Sequence, residues 1–145
     1  MKIKDQKFNK KRYLELKEIL KDSYSPYSNF ATAAIVSTDK GEFPGVNIEN
    51  SSFGATICAE RVAVFNAVLN KSKKFYKLDL ISNSVDKNVF PCGQCLQVMS
   101  EFFDPETPIN VYTFDGKFVT YMLKDFLPFI FKKKIIDDVN SKKGK

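Results

Sequence analysis

The order of periodic segments in this chain predicts a single α/β domain, a three-layer sandwich with a mixed five-stranded sheet between helices. Three observations carry that expectation. Five short apolar or alternating runs alternate with helical-period segments along 145 residues. The hydrophobic fraction of 43% is that of a chain that builds a packed core, and one domain is the usual outcome at this length. No internal repeat or low-complexity tract interrupts the pattern, so the whole chain, 1–145, reads as one domain.

The elements follow in order. Phe8 to about Ser23 predicts a helix, with Tyr13, Leu16 and Leu20 at helical spacing between charges. Ser25-Pro26-Tyr27-Ser28-Asn29 is turn chemistry. Ala31 to Ser37 is a short apolar strand, Asp39-Lys40-Gly41 turns the chain, and Glu42 to Glu49 returns as a second strand. Cys58 to about Asn70 is helical, with Cys58, Val62, Phe65 and Leu69 along one face. Lys77 to Ser82 is a buried strand, and Pro91 announces a helix from Cys92 to Phe103. Ile109–Phe114 and Lys117–Met122 flank Asp115-Gly116, a hairpin signal. A short helix from Lys124 to Phe131 closes the series.

The formal net charge of +6 is unevenly placed. Met1–Ser23 and Lys132–Lys145 each carry a net +4, and the body between them carries −2. A groove that follows a phosphate backbone needs Lys and Arg near the active centre, so no nucleic-acid partner is expected. The basic ends, about 1–7 and 135–145, read as solvated, mobile tails. The N-terminus lacks the apolar stretch of a signal peptide, and no run approaches the roughly 20 apolar residues of a membrane span. A cytoplasmic protein without a membrane partner is expected.

There are three cysteines and no histidine. An odd thiol count in a reducing compartment argues for metal binding or reactive thiols over a disulfide framework. The lack of His removes every Ser-His, Cys-His and His-metal mechanism. Two segments hold all three thiols: Cys58-Ala59-Glu60-Arg61 and Pro91-Cys92-Gly93-Gln94-Cys95. Each opens a predicted helix, where the helix dipole favours thiolate. A lone C-x-x-C is also compatible with a redox pair or half a zinc knuckle, and a lone Cys at a helix start is commonly a small buried residue. The combination is more specific. Three thiolates are one short of a closed structural zinc shell, so Zn2+ on Cys58, Cys92 and Cys95 keeps a position for water. Zinc lowers the pKa of such a water from 15.7 towards about 7. Glu60 is then the natural general acid/base, and Arg61 can offset the thiolate charge by hydrogen bonding to sulfur.

The pattern C-x-E followed by P-C-x-x-C resembles the zinc deaminase signature with Cys in place of His. The chain is similar, in particular, to the small homotetrameric cytidine deaminases. The resemblance runs from Ser25-Pro26-Tyr27-Ser28-Asn29-Phe30 through Gly45-Val46-Asn47-Ile48-Glu49-Asn50 to Leu127-Pro128-Phe129-Ile130-Phe131. It implies Cys58, Cys92 and Cys95 as ligands of one zinc per subunit and Glu60 as proton shuttle. It also implies Phe30, Asn47, Glu49, Ala59 and Phe131 as substrate-binding residues, with Arg61 behind the metal ligands. Asn47 and Glu49 correspond to residues that hydrogen-bond the ribose, chiefly its 3′-hydroxyl, and Phe30 to an aromatic on the pyrimidine. Phe131 corresponds to an aromatic that reaches a neighbouring subunit's site, which implies a homotetramer with composite active sites.

The implied activity is hydrolysis of cytidine and 2′-deoxycytidine to uridine and 2′-deoxyuridine in pyrimidine salvage. Three departures stand out: Leu96 where Arg is frequent, Thr32 where Gly is common and Phe53 where Tyr is frequent. The nearest rival reading is deamination of a blasticidin-type aminonucleoside antibiotic, against which Glu49 argues. A polynucleotide deaminase and a zinc module without activity are further rivals. The first lacks its basic channel here, and the second gives no reason for Glu60.

Overall fold

The five strands lie in the order β2-β1-β3-β4-β5, with β3–β4 the single parallel pair and the other three pairs antiparallel. The computed structural model describes residues 7–142. Its elements are α1 (Lys10–Leu20), β1 (Thr32–Thr38), β2 (Gly41–Val46), α2 (Ala59–Leu69), β3 (Phe75–Ser82), α3 (Gly93–Phe102), β4 (Pro108–Tyr112), β5 (Phe118–Met122), α4 (Leu123–Phe126) and α5 (Lys133–Lys142). A 3-10 turn at Phe53–Ala55 precedes α2. The predicted mixed five-stranded sheet is present, and the parallel pair falls where α3 supplies the crossover between β3 and β4.

Alternation along the central strands divides the core into two layers. Ala34 and Val36 of β1, with Leu78 and Leu80 of β3, face α2 and α3 and pack on Ala63, Val64, Cys95 and Met99. Ala33 and Ile35, with Ile81 and Tyr112, face the opposite way onto Leu16 and Leu20 of α1. All seven residues of β1 are buried, which is why that segment reads as a continuous apolar run and not an alternating one.

Charge also fastens α1 to the sheet. Arg12, buried on α1, bonds Glu15 (2.7 Å) and Glu42 and pairs through Nε with Asp79 Oδ2 (3.1 Å). Asp79 is fully buried on β3, with Lys77 Nζ at 3.2 Å and an Asn110 amide donating at 2.7 Å. A buried carboxylate without such partners would carry a large desolvation cost.

Gly45 of β2 sets the distance between sheet and α2. A Cβ there would lie 2.4 Å from both Ala59 O and Ala63 N, inside hard contact. With hydrogen in that place, α2 seats directly on the strand.

Three sequence expectations differ from the fold. The last predicted helix, Lys124–Phe131, stops at Phe126: Leu127 precedes Pro128 and takes φ −128°, ψ 77°, outside the helical region. The second strand, read to Glu49, ends at Val46. Beyond it Asn47 N–H still donates to Thr32 O of β1 at 3.2 Å, and Ile48 forms single bridges to Tyr24 and to Ile57, just before α2. Residues 133–142, read within or beside a solvated tail, form α5, whose side chains at 135–142 are exposed. Residues 1–6 and 143–145 of the two expected tails lie outside the described residues. No helix among the described residues is long and apolar enough to cross a membrane.

Candidate metal centre and nucleoside cleft

Cys58 is the N-cap of α2 and Cys92 the N-cap of α3, both with extended backbone, and Cys95 lies in the first turn of α3. Pro91 supplies the extended entry into α3. The capping positions bring all three sulfurs together at two helix N-termini. Cys58 Sγ is 3.8 Å from Cys92 Sγ, which is 3.5 Å from Cys95 Sγ, and the three atoms lie within 4.8 Å of one another. Zinc–sulfur bonds of about 2.3 Å in tetrahedral geometry separate their sulfurs by about 3.8 Å. The donor set therefore fits zinc in spacing and in chemistry.

Electrostatics prepares the thiols for a cation. The Cys58 pKa is lowered to about 5, first by a hydrogen bond from Cys95 and, against the effect of burial, by Arg61 and Cys92. Cys95, which gives that hydrogen bond and is buried, is pushed up. The cluster thus holds one thiolate readily and gives up further protons when a metal takes their place. Arg61 Nη2 donates to Cys58 Sγ at 3.6 Å, the contact expected from sequence, and Arg61 Nε is buried without a hydrogen-bond partner among the described residues.

Glu60, one turn-start beyond Cys58, is 4% exposed. Burial first, and the neighbouring Cys58 thiolate after it, raise its pKa to about 7. A carboxyl at that value exchanges protons at neutral pH.

Glu60, Cys58 and Cys92 open into a cleft of about 310 Å³ that Phe30, Asn47 and Glu49 also line. The structure thus brings together Phe30, Asn47, Glu49, Cys58, Glu60 and Cys92, with Cys95 behind Cys92. Asn47 and Glu49 are not on a regular strand, yet two residues of extended chain still turn both side chains the same way. Ala59 is fully buried and its side chain does not line the cleft. Phe131 does not line it either; it is 58% exposed, and its carbonyl accepts from Gln97 Nε2 at 3.2 Å.

Other cleft residues escaped the sequence reading. Val89 and Phe90 line it from the loop before Pro91. Phe90 rests against Tyr121 and Phe126, each with ring centroids 5.6 Å away. Their position beside P-C-x-x-C was the available signal. Thr32, noted only as a departure, is a cleft residue whose N–H donates to Asn47 Oδ1 at 2.9 Å. Leu96 packs into the core and Phe53 is exposed, edge-on to Tyr27. A larger groove of about 450 Å³ between α1 and Phe114 contains neither a thiol nor a buried carboxylate, so the chemistry lies in the smaller cleft.

An α/β sandwich with three thiols at two helix N-termini and a buried carboxylate beside them defines a hydrolase of the single-zinc type. Comparison with known proteins sharpens that class. The family described as the cytidine and deoxycytidylate deaminase zinc-binding region matches residues 6–110, and the chain belongs to it. The cytidine deaminase of Mycoplasma genitalium is 35% identical over 119 residues, 82% of this chain and 92% of the relative. The crystal structure of cytidine deaminase from Burkholderia pseudomallei superposes with a TM-score of 0.78 at 31% identity, covering 85% of this chain and 99% of that one. The blasticidin-S deaminase of Bacillus cereus is 30% identical over 103 residues, 66% of this chain and 72% of the relative. Zinc is the cofactor of this site: the matched region is a zinc-binding one and the three thiols are spaced to ligate it.

Proposed function

We propose that the chain hydrolyses cytidine and 2′-deoxycytidine to uridine and 2′-deoxyuridine, releasing ammonia. The observation that carries this reading is the single cleft in which Glu60 and two of the thiols face Asn47 and Glu49. Bound at Cys58, Cys92 and Cys95, zinc supplies the Lewis acidity that readies water for attack on C4 of the pyrimidine. Glu60 moves the protons: one to ring N3, and a second to the departing amine. Its burial excludes solvent from both transfers. Phe30 offers its ring to the face of the base.

The sugar contacts follow from what the loop leaves free. Asn47 Oδ1 accepts from Thr32 N and from Ser23 Oγ at 2.5 Å, and Nδ2 donates to Phe30 O at 2.7 Å. One amide hydrogen remains for a ligand. Glu49 accepts from Tyr27 N (2.9 Å), Ser28 N (3.2 Å) and Ser28 Oγ, and Oε1 retains a lone pair. A 3′-hydroxyl that donates to Glu49 and accepts from Asn47 satisfies both. The free base lacks that hydroxyl and leaves buried polar groups unpaired, so it is the poorer substrate.

The same reading places the enzyme in pyrimidine salvage, in a reducing cytoplasm where the three thiols stay available for zinc. It assembles as a homotetramer in which Phe131 completes a neighbour's cleft. In support, Phe129 and Phe131 are 95% and 58% exposed on one short segment. Similarity to a blasticidin-S deaminase keeps antibiotic deamination as the second reading, and the sugar-directed Glu49 favours the nucleoside.

The test is ammonia release from cytidine, 2′-deoxycytidine, blasticidin S and a cytidine-containing oligonucleotide, with and without a zinc chelator. Chelator-sensitive turnover of the free nucleosides is the expected result. Turnover of the oligonucleotide or the antibiotic in their place would replace this reading.

A further inference from the structure

Ser28 stands between three cleft residues without being one of the expected site residues. Its hydroxyl donates to Glu49 Oε1 and accepts from Phe30 N at 3.0 Å. Its backbone N–H also donates to Glu49 Oε2 at 3.2 Å. The next link is on the far side of Phe30, whose carbonyl accepts from Asn47 Nδ2 at 2.7 Å. Glu49, Ser28, Phe30 and Asn47 therefore form one hydrogen-bonded chain. The carboxylate cannot rotate without releasing Ser28, and the Phe30 backbone is held at both its N–H and its C=O.

The local backbone is a tight turn. Asn29, between Ser28 and Phe30, has φ 56°, a left-handed conformation that Asn adopts more readily than most residues other than glycine. Asn29 N–H donates to Ser25 O at 3.0 Å, and its carbonyl accepts from Asn83 Nδ2 at 2.8 Å. The turn that presents Phe30 is thus pinned from several sides, and Ser28 is the link that ties it to the carboxylate.

We propose that Ser28 is a positioning residue for sugar recognition: its hydroxyl fixes the Glu49 carboxylate in the orientation that receives the 3′-hydroxyl and locks it to the Phe30 backbone. This rests on the nucleoside reading above and adds to it a residue that acts through Glu49. A carboxylate turned by one side-chain hydroxyl presents a defined lone pair to the ligand, so the hydroxyl contributes to affinity without touching it.

The discriminating pair of substrates is 2′-deoxycytidine and 2′,3′-dideoxycytidine, which differ only in the 3′-hydroxyl. In the zinc-loaded enzyme, Ser28→Ala lowers the kcat/KM preference for 2′-deoxycytidine over the dideoxy analogue on the order of tenfold, the loss of one hydrogen bond to a charged group. The change falls in KM more than in kcat, and Ser28→Thr, which keeps the hydroxyl, restores most of the preference. On a Glu49→Gln background Ser28→Ala adds little, because the two act as one unit. Calorimetric binding of uridine and 2′,3′-dideoxyuridine gives the same ratio independently of turnover. An equal loss on both substrates, or no loss on either, overturns the proposal. A parent enzyme that deaminates neither nucleoside but binds uridine with the predicted Ser28 dependence would overturn the activity and leave the positioning role standing.

Discussion

Arg61 Nη2 sits 3.6 Å from Cys58 Sγ, with Cys58 the N-cap of α2 and Arg61 in its first turn. Three thiolates place an excess negative charge on a zinc ion, and the guanidinium is the cation positioned to share it. Arg61→Gln should weaken zinc binding by about tenfold, the low end for losing an outer partner of a metal ligand. Competition with a chromophoric chelator measures it. An unchanged affinity together with an unchanged pH–rate profile would show that Arg61 plays no part in tuning the metal.

Glu60→Gln keeps the size of the side chain and removes its proton exchange. Zinc content and thermal midpoint should stay at parent values while kcat falls by about 10²–10⁴, the usual contribution of a general acid/base. Metal analysis and steady-state rates test this together. Near-parent turnover would assign the proton transfers elsewhere.

Gly45→Ala drives a methyl to 2.4 Å from the α2 backbone. The expected destabilisation is roughly 1–3 kcal/mol, the range for overpacking, read from denaturant unfolding. Because α2 carries Cys58 and Glu60, zinc affinity should fall in the same variant. Loss of stability with full zinc affinity would mean that the helix moves as a rigid unit and takes its partners along.

Glu42 gives the fold an acid-sensitive contact. Partial burial works to raise its pKa, but hydrogen bonds from Ser37 and Arg12 outweigh it and leave the group below its ordinary value of 4.5. A carboxylate lowered in the folded state stabilises fully above the unfolded value, and that stabilisation disappears as pH falls through the folded one. Glu42→Gln should therefore lose stability near pH 7 and show a shallower decline below pH 4.5 than the parent. Thermal midpoints across that range decide it; parallel curves would remove Glu42 from the acid response.

The strands, the two capped helices and the thiol cluster were legible because their signals are local. An apolar run marked β1, alternation marked β3, Asp115-Gly116 marked the turn before β5, and cysteine at two helix starts marked the metal centre. What remained hidden depends on contacts between distant segments. Nothing near Asn47 announces that β2 leaves the sheet at Val46, since that is decided by Ile48 meeting Tyr24 and Ile57. Phe90 reads as one more apolar residue until Tyr121 and Phe126 are seen to hold it. The end of α4 had a local signal of its own, because Pro128 disfavours a helical Leu127. The link from Ser28 to Glu49 joins residues 21 apart and has no one-dimensional trace.

The separation of the three thiols along the chain makes the metal a tie between two helices. Cys92 and Cys95 are near neighbours in sequence, and both stand at the start of α3. Cys58 lies 34 residues upstream of Cys92 and stands at the start of α2, the helix seated over Gly45. An ion held by all three thiols therefore clamps the two helix starts to each other. The affinity of the folded trio over that of the unfolded chain is, by linkage, free energy by which the ion favours the native chain. Zinc removal should thus loosen the junction of α2 and α3 as well as abolish turnover.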